Sequence, residues 1–202
     1  MSAVSQIKPL EASQLTELTE VHMDAFAGYL NTKIGRQYVY KFLEWFHHYP
    51  QGIVLVATLD NRPAGYVLGA PMGYQKQMNK DLSKIAMWGT ISHPAVWFNK
   101  AFLNNLWSRF KVMMRSGAPA PSAEDSQAFS LVGIGVAKWA QGNRLGKALM
   151  EAFESEVRSS GFQKMRLSVY GHNTTAKKVY TQNGWSLQGP AGRIEVYSKV
   201  IP

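Results

Sequence analysis

The sequence predicts an α+β fold in which helices flank a partly antiparallel sheet, with a helical insertion at about residues 71–128. Three observations carry that reading. Apolar residues recur at helical spacing through the first fifty positions and then change to two strand-like runs. From 129 onward strand and helix signals alternate, and the chain ends in two further strands. At 202 residues and 46% hydrophobic content, residues 1–202 suit a single domain, taking about 150 residues per domain.

Each element follows from its local pattern. Leu15, Leu18, Val21, Ala25 and Phe26 mark a first helix, with Ser13 as its N-cap. Residues 28–32 read as a short connection. Tyr38, Val39, Phe42, Leu43 and Phe46 mark a second helix that stops near Pro50. The apolar run at 52–59, the turn formers Asp60, Asn61, Arg62 and Pro63, and the run at 64–70 make a hairpin. Residues 71–128 form a long connection. Within it, 96–115 places Phe98, Phe102, Leu106, Phe110 and Met113 on one stripe and Lys100, Asn104, Ser108, Lys111 and Arg115 opposite, a basic amphipathic helix. Its apolar stripe has three readings: a cover over the sheet edge, a homodimer interface, or a contact with a membrane surface. A proline-containing loop follows at 117–125. The remainder reads as a strand at 129–136, a turn at 142–146, a helix at 147–159 and a strand at 165–170. A helix at 173–182 then ends in Asn183-Gly184, before strands at 185–188 and 194–199.

Composition excludes several functions. The chain has no cysteine, which removes disulfides, thiolate metal sites and a cysteine nucleophile. The five histidines, His22, His47, His48, His93 and His172, never combine with a third ligand at metal-binding spacing, so no metal is expected. Residues 1–10 lack the basic start and apolar run of a signal peptide, and no apolar stretch approaches the roughly 18 residues that span a bilayer, so a cytoplasmic protein is expected. The net charge is +9. Much of the excess lies in residues 71–123, where Lys76, Lys80, Lys84, Lys100, Arg109, Lys111 and Arg115 face one acid, Asp81. Such a field either suits an anionic partner or is a solvated face. Nucleic acid would rest on charge alone, without a helix-turn-helix, an aromatic RNA-binding motif or a zinc pattern, and is not expected as a partner.

The chemistry concentrates at Gln141-Gly142-Asn143-Arg144-Leu145-Gly146-Lys147, between a strand and a helix. A turn there aims free backbone N–H groups outward at the positive end of the helix dipole, a site for phosphate or pyrophosphate. Gly142 and Gly146 allow close approach of the backbone, and Arg144 and Lys147 add charge. By itself such a turn is equally an ordinary strand-to-helix connection.

The stretch from Ile134 to Leu149 resembles the acetyl-coenzyme A motif of the GNAT family of N-acetyltransferases, a strand, a Gln/Arg-x-x-Gly-x-Gly/Ala turn and a helix. Residues 173–185, with Asn173, Ala176, Tyr180, Gly184 and Trp185, resemble the family's Asn-x-x-Ala-x-x-x-Tyr-x-x-x-Gly-Phe helix. The resemblance is specific over 129–200, looser over 7–70, and silent on 71–128. It implies a mixed, mostly antiparallel central sheet whose strands at 131–136 and 165–170 splay apart. It further implies that acetyl-coenzyme A is the co-substrate. The pantetheine arm would pair with the backbone of Ile134 and Val136, the diphosphate would lie on Gln141, Gly142, Asn143, Arg144, Leu145, Gly146 and Lys147, and Asn173 would anchor the arm near the thioester. A strand N–H near Ile134 would stabilise the oxyanion and Tyr180 would protonate the departing thiolate. The acceptor would be the primary amine of a small molecule or peptide, attacking directly.

Two departures from the family pattern bear on function. Arg144 stands at the first glycine position of the turn, and the strand at 129–136 has no acid where many members carry a glutamate as general base. The base therefore stays open among His22, Asp24, Glu124 and Asp125. The rival function is a catalytically silent acyl-coenzyme A binding or sensing domain. Tyr180 favours the enzyme, and the missing strand carboxylate favours the sensor.

Overall fold

A computed structural model describes residues 6–92, 127–191 and 193–201. The elements in order are β1 (Gln6–Pro9), a 3-10 turn (Ala12–Gln14), α1 (Leu15–Ala25), α2 (Leu30–Ile34), α3 (Arg36–His48), β2 (Ile53–Leu59), β3 (Arg62–Pro71) and α4 (Tyr74–Ser92). Then come β4 (Phe129–Val136), a second 3-10 turn (Lys138–Ala140), α5 (Leu145–Ser159), β5 (Lys164–Tyr170), α6 (Thr174–Gln182), β6 (Ser186–Ala191) and β7 (Ile194–Val200). The seven strands form one sheet in the order β1-β2-β3-β4-β5-β7-β6. Every neighbouring pair is antiparallel except β4–β5, the mixed, mostly antiparallel α+β architecture the sequence predicts.

Period-two alternation sends the side chains of each central strand to two cores. On one face Leu55, Ala57, Val67, Phe129 and Leu131 meet Leu149, Met150, Phe153 and Val157 of α5 and Tyr180 of α6. On the other, Val54, Val56, Tyr66 and Leu68 meet Leu18 and Val21 of α1 and Val39, Leu43 and Phe46 of α3. The β2–β3 hairpin closes through Asp60 and Asn61, both at positive φ (51° and 60°) between the paired Leu59 and Arg62. This is the two-residue turn whose twist matches that of the strands.

The structure corrects several local readings. The 3-10 turn at Ala12–Gln14, capped by Glu11, precedes α1, so Ser13 is not the helix N-cap. Residues 28–32 are not all connection, because Leu30–Ile34 make one helical turn. The segment after Pro71 is helical at once: Tyr74 and Leu82 are buried and Met78 half-buried, a stripe one residue wide at i, i+4, i+8. Gln6–Pro9 form an edge strand with only Ile7 partly covered, too short to show a period. The helix of the glycine turn begins at Leu145, two residues early, because Leu145 packs into the core. His93, the 96–115 helix, the 117–125 loop, Glu124 and Asp125 lie outside the described residues.

Candidate active site

The site begins where β4 leaves β5. The two strands pair only at Phe129–Met165 and Ser130–Arg166, and then part. On its other edge β4 stays bonded to β3, with a register shift that leaves Val132 unopposed between Leu131 and Gly133. Such a bulge bends a strand and raises its twist, which turns the end of β4 away from β5. The Ala137 N–H donates to Ala64 O on the β3 side at 2.8 Å. Alternation along the strand then points the N–H and C=O groups of Ile134 and Val136 the other way, into the opening. The Gln141 amide reaches the Val136 carbonyl at 3.4 Å across that edge.

The turn that follows is held from three sides. The Lys138 N–H donates to Asp24 Oδ2 at 2.6 Å and Lys138 Nζ lies 3.3 Å from Asp24 Oδ1. That backbone bond first, then the Lys138 ammonium, keeps the Asp24 carboxyl below its ordinary value. The Arg62 guanidinium stacks over the exposed Trp139 ring at 4.8 Å. The Asn143 amide donates to Ala140 O at 3.1 Å. Gly142 sits at φ +88° and Arg144 at φ +58°, ψ +14°, in the left-handed region. The Arg144 carbonyl then takes the N–H groups of Lys147 and Ala148. The N–H groups of Gly142, Asn143, Arg144, Leu145 and Gly146 have no backbone acceptor among the described residues. A Cβ on Gly142 or Gly146 would meet nothing within 4 Å. Five donors in sequence at a helix N-terminus, beside an open space and an exposed Arg144, form an arrangement able to accept a phosphate-bearing group.

Opposite, Asn173 ends the β5–α6 junction. Its Oδ1 accepts the Ala176 N–H at 3.1 Å, capping α6, and its Nδ2 donates to the Tyr29 hydroxyl at 3.1 Å. The second Nδ2–H has no acceptor among the described residues. Tyr180, two turns along α6, is 9% exposed and packs beside Trp185 and Tyr197, with ring centroids at 6.1 and 6.3 Å. Its hydroxyl has no hydrogen-bond partner among the described residues. Burial, and secondarily the nearby Tyr29, push its pKa up to about 12. Lys177 is bonded to Glu195 at 2.9 Å, whereas Lys178 is exposed.

His22 and Asp24, the two base candidates among the described residues, are both engaged. His22 is buried against Phe26, Phe42 and Tyr66, with Nδ1 2.5 Å from the Tyr66 hydroxyl, and burial lowers its pKa to about 4. Asp24 clips α1 to the turn. Conversely, Tyr29 escaped notice because it lies in the α1–α2 connection, where no periodic signal exists. It is 36% exposed and bonded to Asn173 across 144 residues of sequence. Among the described residues no group of three or more His, Asp or Glu side chains is placed to hold a metal ion, and no helix is long and apolar enough to cross a membrane.

Comparisons with known proteins bear on this geometry. Residues 15–185 match the family described as acetyltransferase (GNAT) family. No curated protein sequence matches the chain. Several solved structures share its fold. The PaiA N-acetyltransferase from Thermoplasma acidophilum, in complex with coenzyme A, superposes with a TM-score of 0.63 at 13% identity, over 98% of this chain and 99% of that one. The ribosomal-protein-S18-alanine N-acetyltransferase from Escherichia coli gives 0.60 at 14%, over 98% and 94%. An acetyltransferase from Thermus thermophilus gives 0.61 at 16%, over 99% of each.

Proposed function

The chain belongs to the acetyltransferase (GNAT) family, and from that premise we propose that it is an N-acetyltransferase, transferring the acetyl group of acetyl-coenzyme A to the primary amine of a small molecule or peptide by direct attack. One observation carries the reading: the edge of β4 freed by its parting from β5 runs directly into a turn with five N–H groups that lack a backbone acceptor among the described residues. A strand edge suits the amides of a pantetheine arm, and the turn suits a diphosphate. The fold neighbour from Thermoplasma acidophilum was solved with coenzyme A.

In this reading the backbone of Ile134 and Val136 pairs with the arm, and the remaining Nδ2–H of Asn173 donates to it. Gln141, Gly142, Asn143, Arg144, Leu145, Gly146 and Lys147 hold the diphosphate. As the amine nitrogen bonds to the thioester carbon, charge gathers on the carbonyl oxygen, where a strand N–H near Ile134 stands as donor. The C–S bond then breaks, Tyr180 supplies a proton to the sulfur, and the proton shed by the amine nitrogen passes to water, from which the Tyr180 phenolate is protonated again. We read residues 1–202 as one domain, since strands from both ends of the chain share one sheet, and expect it in the cytoplasm. A homodimer or a membrane contact through 96–115 rests on the sequence alone.

The test is thiol release from acetyl-coenzyme A with a panel of amines, beside calorimetric titration of coenzyme A into wild type and Gly146→Asp. That variant sets a carboxylate where the turn opens, and its affinity should fall at least about tenfold. Equal affinity would remove the diphosphate from this turn. Binding without turnover of any amine would instead favour the silent acyl-coenzyme A binding domain.

A further inference from the structure

Where β4 and β5 stand apart, a strip of aromatic rings crosses from one strand to the other. Phe26 and Tyr29 meet edge to face at 5.5 Å, Tyr29 and Tyr170 at 6.2 Å, and Tyr170 stacks on His172 at 5.5 Å. The strip starts on β4, where a Cβ on Gly135 would stand 2.6 Å from the Phe26 ring. It ends at the C-terminal end of β5, where Asn173 holds the Tyr29 hydroxyl. Tyr29 and His172 are exposed and Tyr170 is half-buried, so these three rings are not spent on the core, whereas Phe26 is half-buried and anchors the strip on the core beneath.

The charge of the strip is as informative as its shape. The flanking carboxylates are already matched. Asp24, two residues before Phe26, is taken by Lys138. Glu195, whose Oε1 lies 3.6 Å from where a Cβ on Gly171 would stand, accepts from Lys177 and from the Tyr197 hydroxyl. A polycationic acceptor such as a polyamine needs unmatched acids to hold its other ammonium groups. An acceptor with one amine on an aromatic body needs ring faces, which attract another ring by dispersion and quadrupole alignment. Among the described residues the strip offers the second and not the first.

We propose that this strip seats the aromatic body of a monoamine acceptor, and that Tyr29 is the residue that sets this specificity. The inference rests on the acetyltransferase reading above and names its substrate class. The ring lies along Phe26, Tyr29 and Tyr170, and the amine projects into the opening beside Ile134. Tyr29 is bonded to Asn173 and lies close enough to Tyr180 to influence it, so one loop joins acceptor recognition to the group that protonates sulfur.

The probes are 2-phenylethylamine and spermidine, titrated calorimetrically into protein saturated with coenzyme A, with kcat/KM measured for both in the thiol-release assay. Phenylethylamine should bind at least about tenfold tighter than spermidine and give the higher kcat/KM. Tyr29→Ala should weaken phenylethylamine at least about tenfold and leave coenzyme A affinity within about twofold. Tyr29→Phe, which keeps the ring and drops the bond to Asn173, should lose less than Tyr29→Ala. Spermidine bound as tightly as phenylethylamine, or a Tyr29→Ala protein that binds phenylethylamine like wild type, overturns the proposal while the acetyltransferase reading stands. A wild-type protein that fails to bind coenzyme A overturns that reading, and this inference with it.

Discussion

Tyr180 shows how burial prepares a residue for one role. With its pKa pushed up to about 12, the phenol keeps its proton through the working range but is a weaker donor than a free phenol, so burial fills the acid form and at the same time limits its driving force. General acid catalysis contributes roughly 10²- to 10⁴-fold, and water replaces part of it. Tyr180→Phe removes only the hydroxyl and keeps the ring beside Trp185 and Tyr197. We expect turnover to fall at least about tenfold with coenzyme A affinity unchanged, and the loss to shrink for a thioester with a more acidic leaving thiol. Wild-type turnover by the variant would reduce Tyr180 to a core aromatic. Arg144 illustrates a different tension. A side chain in the left-handed region costs about 1–2 kcal/mol that glycine avoids. Against the extra chain entropy of glycine, Arg144→Gly should raise the melting temperature by about 2 °C. It should also raise the KM for acetyl-coenzyme A through the lost guanidinium. Arg144→Ala keeps the strained backbone and should melt with wild type. A lower melting temperature for the glycine variant would show that the guanidinium stabilises the turn.

At the scale of the element, α1 packs closely over β4 because the strand is thin at Gly135. Gly135 has no room for a side chain: a Cβ would meet Phe26 at 2.6 Å and the Ala25 methyl at 3.2 Å. Gly135→Ala must therefore push α1 and the Phe26–Tyr29 loop outward. Overpacking of this kind costs about 1–3 kcal/mol, and urea denaturation should show it. The same displacement should raise the KM for the amine, because the Phe26–Tyr29 loop moves with α1. An unfolding free energy equal to that of wild type would mean that α1 yields freely. Gly142 and Gly146 have open space at their Cβ positions instead, so the packing of the fold does not require glycine there.

The whole molecule responds to pH through a buried histidine of α1. His22, with a pKa lowered from 6.5 to about 4, stays neutral in the fold down to acid pH. The unfolded chain binds that proton near pH 6.5. His22 thus contributes its full stability above pH 6.5, and the contribution is lost as pH falls from 6.5 through 4, by about 3 kcal/mol in all. His22→Gln cannot take up charge and keeps a hydrogen-bonding group for the Tyr66 hydroxyl. Urea denaturation between pH 7 and 4 should give a steep loss for wild type and a shallower one for the variant. Parallel curves would place the acid sensitivity elsewhere.

What the sequence determined by itself is what local chemistry encodes. The glycine turn after an apolar strand and the hairpin turn are written in adjacent residues, although the turn itself is only Asp60-Asn61 and the strand begins at Arg62 rather than at 64. The α+β class follows from the order of periods along the chain. The tertiary structure decided everything that depends on which distant segments meet. The edge strand Gln6–Pro9 exists only because β2 pairs with it. The opening exists because a bulge at Val132 bends β4 after a single short stretch of pairing with β5. Burial made His22 a neutral core group and a clip to Lys138 made Asp24 structural, although both looked like bases in the sequence. Tyr29 reached the site by a hydrogen bond to Asn173 that no local pattern predicts. A side chain's pKa and its access to a ligand are set by desolvation and by partners far along the chain, and neither is a property of its sequence neighbours.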